Sequence, residues 1–465
     1  MSLEGTLQLQ STSLMRELRA RFDGRLIGPD DAEYDDARAV FYGGFDRRPA
    51  AIIRARNAAD VSAAIRSARD TGLPLAIRGG GHSFAGHGVI DDGIVLDLTN
   101  LRGLQIDVER RTAWADAGLT AGEYTNEASA HGLATGFGDA ASVGIGGLTL
   151  GGGVGYLVRK HGLTIDQLLA AEIVTADGQL VRTDADTHHD LFWAIRGGGG
   201  NFGVVTRFQF RLHELESVTG GMLMLPASPD LIHQFVARAE AAPEELSTIA
   251  NIMRAPPLPF VPAEHHGKLV VMGLMAYAGV AEDGAAALAP FRALASPIVD
   301  MVRPIPYSEI YPPEQPGFHP IAVARTMFVD ALDRSSAEFI VDRLNTSTAP
   351  MPVTQLRVLG GAAARVPSDA TAYAHRSRRI MVNAAILYED LARTAEFDAW
   401  VADLADELRH GDTSAYVNFL GDEGEARVRD AYPGKTWDRL VTIKRRYDPT
   451  NLFRVNHNIS ASDGA

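Results

Sequence analysis

The chain has 465 residues, room for two or three domains at roughly 100–200 residues each, and its 46% hydrophobic and 22% charged content is ordinary for a well-cored globular protein. A formal net charge of −14 argues against nucleic acid, whose binders carry a basic patch. There is no cysteine, which excludes disulfides, thiolate metal sites and thiol nucleophiles, so any redox chemistry must come from a cofactor.

In chain order, Met1-Ser2-Leu3-Glu4-Gly5 has neither the basic nor the apolar part of a leader. No run approaches the ~18 uninterrupted apolar residues of a membrane span, so a cytoplasmic protein without a membrane partner is expected. Ala51-Ile52-Ile53 predicts a strand, and Ala59–Thr71 a helix opened by Asp60. Leu75–Ile77, Ile94–Leu98, Leu104–Asp107 and Thr112–Ala115 predict further strands, and Ala121–His131 a helix capped by Gly132. A long glycine-rich passage fills 136–155. Strands are expected at Leu169–Thr175 and Leu180–Arg182 around the turn Asp177-Gly178, then a helix Asp190–Ile195 and a strand Val204–Leu212. Past about residue 217 glycine thins and proline clusters at 256–262 and 304–316. The runs Leu269–Ala276, Leu356–Leu359 and Ile380–Leu387 suggest a second α+β domain on an antiparallel sheet. The tail Tyr416–Ile459 is turn-rich and contains Asp448-Pro449-Thr450-Asn451.

Three glycine loops, at 79–81, 151–153 and 197–200, fall in the first half. Successive glycines let backbone N–H groups converge on a phosphate, and three such loops suggest one long ligand threaded across this half. The loop Arg78-Gly79-Gly80-Gly81-His82-Ser83 also sets a histidine beside that ligand; the alternative is a tight turn with an incidental histidine. None of the loops has the strand–GxGxxG–helix context of a dinucleotide fold, and no GxxxxGK[ST] is present. His188-His189 and His265-His266 are adjacent pairs without a third partner and read as solvated, so no metal site is expected.

Tyr34–Arg38, Pro49–Ile53, the Arg78–Ser83 loop, Val143-Gly144-Ile145-Gly146-Gly147, Gly151–Gly155, Arg196–Gly203 and Tyr447–Phe453 together resemble the berberine bridge enzyme-like FAD-linked oxidases of the vanillyl-alcohol oxidase superfamily, from about residue 34 to 459. The resemblance implies an α+β, two-domain PCMH-type FAD-binding fold with an inserted antiparallel-sheet substrate domain. Its division would be 1–216 (core about 45–216), 217–410 for substrate, and 411–465 returning to the FAD domain. It further implies FAD bonded covalently through His82, with Arg78, Gly79, Gly80, Gly81, Ser83, His87, Ser142, Val143, Gly144, Gly147, Gly152, Gly153, Asn201, Gly203, Val205 and Asn456 around the cofactor.

The chain departs from the family pattern in three places. Ala140 stands where many relatives carry a second, cysteinyl link, so a single linkage is expected. Val154 and Phe419 stand where alcohol-oxidising relatives have tyrosines, and neither can accept a proton. Tyr416, Asn418, Asn383 and Tyr156 remain as catalytic or substrate-orienting candidates, with His319 and His375 as weaker ones. Val143, where the family has a small residue leaving oxygen access, favours an oxidase acting on a small organic substrate and O2. The alternatives are a dehydrogenase with another acceptor, a flavin-loaded binding protein, or a nucleotide-binding module.

Overall fold

The structure, a computed structural model, describes residues 15–22, 26–314 and 317–462. The segment Met1–Gly5, read above for a leader, lies outside them.

Short apolar runs bounded by glycine, proline and aspartate become the strands of two small sheets. Ala51–Arg54, Ile94–Asp97 and Leu75–Arg78 lie parallel in that order, with Leu26–Ile27 antiparallel on the outer side of Ala51–Arg54. Parallel neighbours need a crossover, and the helix Ala58–Thr71 provides it. The cap is Asn57, whose side chain accepts from the Asp60 N–H, rather than Asp60 itself; the helix ends on left-handed Gly72. The second sheet is antiparallel, in the order Leu104–Asp107, Thr112–Asp116, Val204–Arg211, Leu168–Val174, Leu180–Asp184.

One apolar core runs through both sheets and takes in Ala415, Leu440, Val441, Phe453 and Ile459 from the chain's end. The tail is held by Lys444, fully buried. Its Nζ donates to the Asn201 carbonyl at 2.8 Å, the Phe453 carbonyl at 3.0 Å and the Asp448 carboxylate at 2.7 Å.

The middle of the chain forms a larger antiparallel sheet with the main order Ser217–Pro226, Leu269–Tyr277, Leu246–Arg254, Met351–Val358, Ile380–Tyr388, Ile321–Val329. The helices Pro229–Ala241, Ala281–Arg292, Arg334–Thr346 and Thr394–Leu408 cover one face, burying Phe235, Phe291, Ile340 and Leu404 against Leu356, Val382 and Ala384. Because side chains alternate along a strand, Gln355, Arg357 and Asn383 point to the opposite face, toward the glycine loops.

Three helices depart from the sequence expectations. Ile145–Gly151 forms inside the passage expected as loop, although glycine is a poor helix former. Packing compensates: Ile145 is fully buried, and a Cβ on Gly146 would stand 2.9 Å from the Ala117 carbonyl oxygen. Glu425–Ala431 and Lys435–Tyr447 form in the tail expected to be turns.

Candidate active site

The loop after Leu75–Arg78 is fixed at both ends. The Arg78 guanidinium, 6% exposed, donates to Asp97 at 2.7 Å across the parallel pair. Gly80 lies flat against Gly144: a Cβ on either would stand 2.3 Å from the other's backbone nitrogen. Two glycine loops thus meet backbone to backbone, an approach that only glycine permits.

His82 leaves this loop beside a cavity of about 530 Å³. Its ring stacks on Phe41 (centroids 4.0 Å apart, planes at 20°), and its Nε2 is 2.8 Å from Ser142 Oγ. Burial lowers its pKa to about 4, against the raising influence of Glu314 and Asp139. The imidazole is therefore neutral near pH 7, with a nitrogen lone pair available. Burial likewise lowers His87 to about 3 and His457 to about 4; their rings meet edge to face at 4.7 Å further along the wall.

The cavity runs from these histidines past Gly144, Gly147, Gly199–Asn201, Gly203 and Val205 to Asn456, then turns to the sheet residues Gln355, Arg357 and Asn383. Of the expected cofactor residues, Arg78–Ser83, His87, Val143, Gly144, Gly147, Asn201, Gly203, Val205 and Asn456 line it. Ser142 acts one step back, through His82 and through its N–H, which donates to Glu314 at 2.9 Å. Gly152 and Gly153 are not on the wall. A Cβ on Gly152 would touch Tyr416 and Tyr373, and one on Gly153 would collide with Thr164; these glycines let the side chains beneath close up.

Tyr416, Asn418 and Asn383 all line the cavity. Tyr416 Oη accepts from the Gly153 N–H and from Asn418 Nδ2, both at 2.9 Å, while Asn418 Nδ2 also donates to the Leu148 carbonyl at 2.9 Å. Desolvation raises the Tyr416 pKa, with these hydrogen bonds acting the other way, so the phenol is neutral. Tyr156 is a correction: its ring is in a core cluster with Leu157, Val218 and Tyr307, off the cavity wall. His375 is also a core residue, bonded to the Ala431 carbonyl at 3.1 Å, and His319 Nδ1 meets the Phe41 carbonyl at 3.0 Å.

Asp139 and Arg357 were not singled out from the sequence. Arg357 Nη2 donates to Asp139 at 2.7 Å, Nε to Gln355 at 2.8 Å and Nη1 to the Val154 carbonyl at 3.3 Å, and the guanidinium lies 5.0 Å over the Phe419 ring. Among the described residues no group of three or more histidines and carboxylates is arranged to hold a metal, and no helix is long and apolar enough to cross a membrane.

The family described as FAD binding domain matches residues 49–184, and the one described as berberine and berberine like matches 415–460. The (R)-6-hydroxynicotine oxidase of Paenarthrobacter nicotinovorans is 30% identical over 464 residues, 94% of this chain and 96% of that protein. The chain belongs to the berberine bridge enzyme-like FAD-linked oxidoreductases. Berberine bridge enzyme-like 17 of Arabidopsis thaliana is 27% identical over 89% of this chain and 85% of its own. The crystal structure of 6-hydroxy-D-nicotine oxidase from Arthrobacter nicotinovorans superposes with a TM-score of 0.83 at 26% identity, covering 95% of this chain and 98% of that one.

The cavity suits the family's cofactor. At Gly147 and Gly200 a Cβ would meet no protein atom within 4 Å, so both face open space along the wall. Asn456 donates to the Gly200 and Phe453 carbonyls at 3.2 Å, while its buried Oδ1 has no partner and awaits a ligand donor. This is an FAD-dependent oxidoreductase of the family's fold.

Proposed function

We propose that the protein is an oxidase carrying FAD through one covalent bond to His82, and that it oxidises a small organic substrate with O2 as acceptor and peroxide as product. The supporting observation is the placement of His82: a neutral imidazole clamped by Phe41 and Ser142 at the wall of the glycine-lined cavity. A neutral ring nitrogen held in place is the nucleophile that bonding to the flavin methyl requires. Ala140 offers no second attachment. Bound FAD supplies the two-electron chemistry that no side chain of this cysteine-free chain can provide.

The backbone of Arg78–Gly81, Gly144, Gly147 and Gly199–Asn201 would hold the cofactor, with Asn456 Oδ1 accepting one of its N–H groups. Tyr416 Oη, both lone pairs filled by N–H donors, turns its own proton toward the ligand. Phe419, Val154 and Leu387 exclude water from the substrate side. The division into 1–216, 217–410 and 411–465 belongs to the same reading, supported by the core that the first and last parts share. So does a cytoplasmic location, tested by fractionating cells that express the full chain.

The test is acid precipitation of the purified protein followed by visible spectroscopy of the pellet and intact mass. Yellow colour retained with the polypeptide, and lost in His82→Ala, is the expected result; colour released wholly into the supernatant refutes the linkage. Fast anaerobic bleaching by substrate with slow recovery in air would replace O2 by another acceptor.

A further inference from the structure

Across the sheet, register pairs place Thr326, Asn383, Gln355 and Asn251 side by side on the face toward the glycine loops. Gln355 and Asn251 of this rung belong to a chain of three hydrogen bonds that all run in one direction. Arg357 Nε donates to Gln355 Oε1, Gln355 Nε2 donates to Asn251 Oδ1 at 2.8 Å, and Asn251 Nδ2 reaches the Met272 carbonyl at 3.5 Å. Asn383 stands between Gln355 and Thr326 and is bypassed. It is 8% exposed, lines the cavity, and its Oδ1 is buried without a hydrogen-bond partner. A buried acceptor left unsatisfied costs about 1–3 kcal/mol, so this is a place where a ligand donor gains what the fold withholds.

The surroundings restrict that ligand. Tyr42 stacks on Phe84 at 4.5 Å, Phe84 meets Phe419 edge to face at 6.1 Å, and Phe318 and Leu387 join them on the wall of an apolar slot. The acidic and basic side chains on the wall, Arg78, Asp139 and Arg357, are each already paired at 2.7 Å, Arg78 with Asp97 and the other two with each other. Among the described wall residues no unpaired arginine or lysine is offered to a carboxylate.

We propose that Asn383 Oδ1 anchors the substrate by accepting a hydrogen bond from one N–H or O–H group, and that the substrate class is a small, uncharged aromatic or heteroaromatic molecule bearing that donor. The proposal rests on the flavin occupying the glycine-lined part of the same cavity. The donor's bond to Asn383 fixes the ring in the slot. An analogue lacking the donor leaves Oδ1 stranded, a defect that hydrogen-bonding sites penalise far more than a missing methylene.

The test titrates the purified holoprotein with phenol, its methyl ether anisole, benzoate and cellobiose, reading perturbation of the visible flavin band. Phenol should act at a concentration roughly tenfold or more below anisole, with benzoate and cellobiose weaker than both. Asn383→Asp keeps the acceptor and should keep the preference; Asn383→Leu should bring the phenol-to-anisole ratio close to one. The proposal is overturned if wild type shows no preference, if the preference survives in Asn383→Leu or is lost in Asn383→Asp, if benzoate or cellobiose binds best, or if no probe perturbs the band. A colourless protein refutes the flavin reading itself; a yellow one without the preference refutes the anchor alone. The wild-type and Asn383→Asp titrations decide the matter should Asn383→Leu fail to fold.

Discussion

Alanine at Gly200 or Gly147 adds one methyl to the cavity wall where no protein atom lies within 4 Å. Neither glycine has a positive φ, so an L-residue fits the backbone. Gly147 is inside the helix Ile145–Gly151, where alanine is favoured over glycine by roughly 1 kcal/mol. The polypeptide alone should therefore be as stable as before, or slightly more so. If the cofactor fills that space, the methyl overlaps it, and overpacking of this kind costs about 1–3 kcal/mol, some 5- to 150-fold in binding. Gly80 and Gly144 give the opposite signature: a Cβ there meets backbone nitrogen at 2.3 Å. That overlap should lower Tm by roughly 2–4 °C per kcal/mol lost, whatever the flavin content. The assay is the dissociation constant of FAD in a His82→Ala background, where the flavin exchanges, paired with the melting curve of flavin-free protein. Gly147→Ala and Gly200→Ala that bind FAD as tightly as their His82→Ala parent would refute the placement of the cofactor.

Lys444→Met leaves the buried Asp448 carboxylate without its cation and should destabilise the fold by about 3–5 kcal/mol, seen in chemical denaturation as loss of the tail's packing. Tyr416→Phe keeps the ring against Tyr373 and Phe419 but strands the Gly153 and Asn418 donors. Stability should fall by about 1–3 kcal/mol, and the visible flavin band should shift through loss of the donor. Burial holds His375 at about 4 in the folded state, below the ordinary 6.5. The unfolded chain then binds more protons below pH 6.5, so stability falls as pH drops from about 6.5 toward 4, by at most roughly 1.4 kcal/mol per pH unit for this group. Denaturation curves at descending pH should flatten in His375→Gln.

The first half was legible because its glycine loops mark where the backbone approaches a ligand closely. The glycines that read as a phosphate cradle also let Gly80 and Gly144 meet, a contact visible only in the fold. The helix Lys435–Tyr447 was missed although Trp437, Leu440, Val441 and Lys444 fall at helical spacing, all of them buried. A lysine at the inward position broke the apolar pattern, and only three converging oxygens explain its burial. Tyr156, a substrate-orienting candidate in the sequence that reads equally well as structural, is the latter: two residues past Val154 suffice to turn a ring from cavity to core. Asp139, Gln355 and Arg357 carried no motif. Strand alternation sorts Arg357 from Leu356 but does not say which face meets the flavin half; that follows from where the four covering helices pack.

Val154 and Phe419 share a neighbour. Both positions contact one side chain: Arg357 donates to the Val154 carbonyl and lies over the Phe419 ring. A phenol in place of that ring would bring a second titratable group beside an arginine already committed to Asp139. The chain instead keeps a neutral pair and an apolar ring. On the sheet side of the wall, among the described residues, Asp139 is engaged by Arg357 and Tyr416 Oη has both lone pairs filled, while the neutral imidazoles of His87 and His457 belong to the part along the glycine loops. We predict that a substrate oxidised here releases its hydride without first losing a proton to the protein, as a neutral amine or an activated hydroxy-aromatic can. The rate of anaerobic bleaching under saturating substrate should then follow the substrate's own ionisation and show no further enzyme pKa between about pH 6 and 9. A bell-shaped profile with a limb belonging to the enzyme, abolished by Tyr416→Phe or by Asp139→Asn, would overturn this and restore a protein base.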